Sequence, residues 1–124
     1  MPILSSPSSP THERDGARFT SLATPSSGTR DTSVWRVELA PGVESALHEV
    51  TREEIFVVLR GSARVQLAED VREVRVGEVI VVPRDTPFRL ANPSELEPFE
   101  ALCCLPVGGQ ARVDGAVFVP PWAR

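Results

Sequence analysis

PGVESALHEVTREEIFVVLRG, residues 41–61, opens on a Pro-Gly turn signal, carries one of the chain's two histidines at position 48, and runs from Glu54 into an apolar stretch closed by Arg60-Gly61. In EIFVVLR, Phe56 and Val58 alternate with Ile55, Val57 and Leu59. Successive side chains of a strand point to opposite faces, so this strand is apolar on both. One face belongs to a core, and the other needs a cover from the N-terminal arm or from a second subunit. On the same alternation His48 shares a face with Val50, and Glu54 shares one with Phe56 and Val58.

Outward from this stretch the chain reads as about seven short strands with turn signals every 8–12 residues. SVWRVEL places Trp35, Val37 and Leu39 on one face and Val34, Arg36 and Glu38 on the other. EIFVVLR and SARVQL flank Gly61, VREVRV and EVIVVP flank Gly77, and PFRLAN and PFEALCCLP flank a Pro-containing loop. No window of ten or more residues carries a helical period free of breakers, so the pattern predicts an all-β sandwich or barrel. Residues 1–32 are rich in Ser, Pro, Thr and Gly and predict an irregular N-terminal arm, with Phe19 and Leu22 available to pin it down. Residues 33–107 form the barrel. Residues 108–124 form a C-terminal extension whose Phe118 and Trp122, set around Pro120-Pro121, are expected to pack on it.

Composition removes whole classes of chemistry. All thirteen cations are arginine, there is no tyrosine, and the net charge of -4 has no basic stripe. Schiff-base catalysis by lysine and proton donation by tyrosine are excluded, and nucleic acid is not an expected partner. With His12 and His48 alone, one chain lacks a three-histidine metal site. No apolar run approaches the length that crosses a bilayer, and MPILSSPSSP has no basic, hydrophobic leader pattern, so no membrane association and a cytoplasmic location are expected. Cys103 and Cys104 are adjacent and point to opposite faces of a strand, which argues against a disulfide between them. Cys103 is the barrel-facing one.

The spacing Gly42, His48, Glu54, Gly61 resembles the first motif of the cupin superfamily, and Gly77, Pro83, Asn92 resembles the second. The resemblance covers residues 33–107 and implies a small jelly-roll barrel of the double-stranded β-helix type. It also implies a metal site of three histidines and one glutamate, from which this chain departs: Val50 and Phe88 stand where two of the histidines would be, and Asp85 replaces a glycine. His48 and Glu54 remain. Two protein ligands fall short of the three that catalytic metals take, so no tightly held cofactor is expected.

Alternation and the motifs together place Trp35, Val50, Phe56, Val58, Phe88, Leu90, Asn92 and Cys103 around a pocket with His48 and Glu54 as its acid/base pair, Glu54 orienting the imidazole. The leading expectation is metal-independent proton-transfer chemistry, an isomerisation, cyclisation or elimination, on an apolar or aromatic small molecule. A non-catalytic binding or sensing module for a hydrophobic metabolite is the alternative from another class. A third reading keeps a weakly held divalent metal on His48 and Glu54, as the resemblance to cupin oxygenases and isomerases implies. The two-sided strand and the arm predict a homodimer.

Overall fold

The computed structural model of the chain describes residues 2–124. In chain order its strands are β1 (His12–Arg14), β2 (Ala17–Ala23), β3 (Thr32–Leu39), β4 (Glu49–Val50), β5 (Glu54–Arg60), β6 (Ser62–Leu67), β7 (Asp70–Arg75), β8 (Val79–Val82), β9 (Phe88–Ala91), β10 (Phe99–Pro106), β11 (Ala111–Val113) and β12 (Ala116–Phe118). One sheet runs β1-β2-β3-β10-β5-β8, and two smaller ones run β7-β6-β9 and β12-β11-β4. Bridges Glu44↔Ala91 and His48↔Phe88 stitch the smaller sheets along one curved layer. Two antiparallel layers thus face each other as a jelly-roll barrel. The regular helix that the sequence does not predict is absent among the described residues, apart from two single 3-10 turns at Pro25–Ser27 and Pro121–Ala123.

Period-two patterning builds the interior. Trp35, Val37 and Leu39 on β3, Phe56 and Val58 on β5, Ile80 and Val82 on β8, and Ala101 and Cys103 on β10 are all buried. Each large apolar side chain so placed contributes about 1.5–3 kcal/mol relative to exposure. Cys103 lies between its register partners Trp35 and Phe56 across two ladders, which fixes the centre of the sheet.

The turn between β5 and β6 is held by Gly61, whose φ is 70° and on which a Cβ would collide with the Pro98 carbonyl. Both the left-handed backbone and the close approach demand glycine. Gly61→Ala is expected to cost more than ~1 kcal/mol, seen as a lower denaturant midpoint at unchanged slope. Asp85, which replaces a motif glycine, has a φ of 57°. Aspartate is among the few residues that accept this region. Its carboxylate receives Arg84 Nε at 3.2 Å and Arg112 Nη1 at 3.3 Å, and these hydrogen bonds hold its pKa below the usual value.

The arm differs from the expectation of irregularity. Residues 12–23 form β1 and β2, and β2 completes the edge of β3 through pairs from Ala17↔Leu39 to Ala23↔Val34. Edge pairing and contacts with the tail stabilise this segment, and neither is visible in its own polar composition. The tail is equally woven in: β11 pairs with β4 and β12, and Ser21 Oγ and Ser33 Oγ donate to the carbonyls of Trp122 (2.7 Å) and Ala123 (2.8 Å). Phe19 and Trp122 stack with centroids 3.6 Å apart and planes 4° from parallel. Arm and tail thereby clasp each other at one end of the barrel.

Candidate functional site

A cavity of about 190 Å³ lies between the layers beneath that clasp. Trp35, Val37 and Leu39 of β3, Val50 of β4, Phe56 of β5, and Phe88 and Leu90 of β9 make its wall. Phe19, Phe118, Pro120 and Trp122 narrow the opening, and the exposed Arg14, Asp15 and Glu44 mark its mouth. Arg14 sits over the Phe118 ring at 5.8 Å, a cation–π contact that fastens β1 to β12.

Glu54 opens β5 on the inward face, where its register partner on β8 is Val82, and it is 5% exposed. Among the described residues no hydrogen bond or ion pair reaches its carboxyl. Burial without a partner penalises the charged form and pushes its pKa up to about 8. At neutral pH it is a carboxylic acid, a hydrogen-bond donor set in an apolar wall.

His48 is placed by a reciprocal pair of backbone bonds to Phe88, N to O at 3.0 Å and back at 2.8 Å. Its Nδ1 lies 2.8 Å from the Ala46 carbonyl oxygen. A carbonyl only accepts, so in the neutral ring Nδ1 carries the proton and Nε2 keeps its lone pair. Burial lowers the imidazole pKa, and the Ala46 bond opposes this only in part. The ring meets Phe88 edge-on at 5.3 Å, and Phe88 in turn leans on Phe56 at 5.3 Å. The result is a neutral base and a neutral acid on one apolar cavity.

The orienting role expected of Glu54 falls instead to Ala46, since no hydrogen bond joins His48 and Glu54 among the described residues. Trp35, Val50, Phe56, Phe88 and Leu90 line the cavity with them. Val58, Asn92 and Cys103 do not. Val58 is 2% exposed and packs deeper in the core. The Asn92 amide nitrogen donates to Leu39 O (3.1 Å) and Glu97 O (2.8 Å), and its Oδ1 accepts from Ser94 N (3.1 Å), so it ties loops together. Cys103 is wholly buried, and burial raises its thiol pKa well above normal, the opposite of an activated nucleophile. Alternation gives the inward side correctly but not the depth along the barrel, which separates cavity from core. Phe19, read from the sequence as a pin for the arm, and Phe118 and Trp122, read as anchors of the tail on the barrel, also line the cavity.

The donor set does not fit a resident metal. Val50 and Phe88 offer no electron pair, and among the described residues no group of three or more His, Cys, Asp or Glu side chains could hold an ion. No helix among these residues is long and apolar enough to cross a membrane.

The family described as "Cupin domain" matches residues 35–105. Auxin-binding protein 1 of Arabidopsis thaliana is 43% identical over 42 residues, 34% of this chain and 21% of that protein. The chain spans half or less of the length of the curated relatives it matches. A cupin-like protein of Thermotoga maritima superposes with a TM-score of 0.71 at 23% identity, over 85% of this chain and 79% of that one. The polyketide cyclase RemF of Streptomyces resistomycificus superposes with a TM-score of 0.69 at 20% identity, over 83% of this chain and 73% of that one.

Proposed function

The chain belongs to the cupin family, and from that premise we propose that it is a small-molecule enzyme that moves protons without a metal, with Glu54 as general acid and His48 as general base. The observation that carries this reading is the Glu54 carboxyl, 5% exposed on the cavity wall and without a hydrogen-bond or ion-pair partner among the described residues. An unpaired acid in an apolar wall costs stability, and a ligand group that accepts its hydrogen bond recovers that loss. Isomerisation, cyclisation and elimination all need one proton delivered and one removed with water excluded, which suits a protonated carboxyl and a neutral imidazole Nε2. RemF, a cyclase, shares the fold, which lends the class some support by analogy.

The chain's only two tryptophans, Trp35 and Trp122, both line the cavity. Titration with butylbenzene is therefore expected to shift or quench intrinsic emission in a saturable way. Emission unchanged up to the solubility limit of several such ring compounds would contradict a ligand-accepting cavity. The local likeness to a protein named for binding auxin favours a second reading, a binding module that uses the same cavity without turnover. Loss of affinity without any reaction to lose, on changing His48, would select it.

Self-association belongs to the same proposal. The outer face of the large sheet carries Leu59, Val79 and Val81, which are 45, 54 and 49% exposed, beside half-buried Ile55, Val57 and Leu102. Across the same sheet run the register partners Arg18, Glu38, Glu100 and Arg60, a row bearing both signs that can match a second copy turned about a two-fold axis. A homodimer covers the second face of β5, which the arm leaves open. Val81→Arg is expected to turn a dimer mass in sedimentation into a monomer mass; a wild-type monomer at micromolar concentration would contradict the pairing. Free Cys103 and Cys104 accord with a reducing, cytoplasmic setting.

A further inference from the structure

We infer that the substrate is an uncharged one-ring compound bearing an enolisable carbonyl, with the carbonyl oxygen on Glu54 and an adjacent C–H on His48. This rests on the proton-transfer reading above and narrows it. Among the described residues the cavity wall presents two polar side chains left free for a ligand, the Glu54 carboxyl with its O–H to donate and the His48 Nε2 acceptor. The nearby Ser45 hydroxyl is committed, donating to Ala46 O at 3.3 Å and accepting from Leu90 N at 3.0 Å. Arg14, Asp15 and Glu44 stand at the exposed mouth, where Asp15 faces Arg14 at 3.9 Å and Glu44 faces Arg89 at 3.4 Å. A ligand that satisfies the wall therefore offers one acceptor and one removable proton. A ligand carrying formal charge there would lose its hydration to Val50, Phe56 and Phe88 with no counter-ion.

Size points the same way. A cavity of about 190 Å³ exceeds the ~150 Å³ engineered void that holds benzene, leaving room for one ring with a short side chain. The chemistry balances without a co-reactant. The C–H bond beside the carbonyl breaks and its proton goes to His48 Nε2; the Glu54 O–H breaks and its proton goes to the carbonyl oxygen, giving an enol. Imidazolium and carboxylate then face the enol. Return of the proton to the same carbon regenerates the ketone, and return to a conjugated carbon isomerises it, while Glu54 recovers the enol proton. Where the same molecule carries a second carbonyl, the enol carbon can bond to that carbonyl carbon instead: its C=O π bond opens, its oxygen takes the proton held on His48, and the enol O–H returns its proton to Glu54, so that the first carbonyl re-forms and a ring closes.

Three probes of nearly one shape separate the possibilities: benzylacetone has the enolisable ketone, hydrocinnamate an anion in its place, and butylbenzene neither. Tryptophan emission reads binding, and proton NMR in heavy water reads exchange of the hydrogens beside the ketone. Expected is binding of benzylacetone at least tenfold tighter than either other probe near pH 7, with exchange at least a hundredfold above buffer. His48→Gln should keep the binding and lose the exchange, and Glu54→Leu should lose the tenfold preference. Equal binding of all three probes would overturn the substrate class while leaving a ligand cavity in place. Selective binding without exchange would overturn the placement of the C–H on His48. Failure of every probe to bind would overturn this inference and the parent reading together.

Discussion

Glu54→Gln is expected to stabilise the protein by roughly 3 kcal/mol near pH 7, an unusual result for a change inside a core. The wild-type carboxyl has its pKa raised from 4.5 to about 8 by burial. Between those values the folded chain holds a proton that the unfolded chain has released, so stability falls as pH rises through the window. The contribution is fully present below the unfolded value and is lost by the time pH has passed the folded one. Glutamine has the same shape and no charge at any pH, so it removes the slope. Urea midpoints of the two proteins should agree near pH 4.5 and separate steadily toward pH 8, where the gap is largest. Parallel profiles over that window would mean that Glu54 is paired in the folded state, and the acid assigned to the cavity would be lost.

His48→Gln is expected to lower turnover by about 10²–10⁴-fold, the usual range for removing a general base, with little change in stability. His48 is half-buried and its ring makes one hydrogen bond, to Ala46, so the fold does not lean on it. Glutamine retains polarity and approximate size but has no basic nitrogen. The pH profile gives a sharper signature. Activity should fall on the acid side as the imidazole, whose pKa lies below the ordinary 6.5, takes a proton, and on the alkaline side near 8 as Glu54 loses one. Glu54→Gln should abolish the alkaline limb along with most of the rate. Undiminished turnover on benzylacetone or a natural substrate in His48→Gln would refute the role of the imidazole.

The barrel was legible because its interior depends on patterns a sequence carries openly. Trp35, Val37 and Leu39 alternate cleanly, Gly61 marks a turn only glycine can make, and His48 and Glu54 keep motif spacing even though Val50 and Phe88 have displaced the other ligands. Residues 12–23 were not legible. ARFTSLA is polar enough to pass for coil, and its order comes from pairing with β3 and from the stack of Phe19 on Trp122, over a hundred positions away in the chain. β4, β11 and β12 are two or three residues long, below the length at which alternation says anything. The cavity itself was half legible. Its wall follows from alternation, but its floor and mouth depend on how far along the barrel each side chain lies: Val58 and Cys103 fall into the core, and Phe118 and Trp122 fall at the opening. The state of the acid was hidden for a different reason. His48 and Glu54 look like a pair by spacing, whereas the Ala46 carbonyl accepts the hydrogen bond of the imidazole Nδ1–H and leaves the carboxyl alone.

All of the chemistry proposed here rests on Glu54 being an uncharged acid at neutral pH, and carbon NMR of its side-chain carboxyl measures that state directly. The signal, assigned by its disappearance in Glu54→Gln, should titrate with a midpoint near the value of about 8 that burial imposes. A midpoint close to the ordinary 4.5 would show the carboxylate charged at neutral pH and would contradict the account.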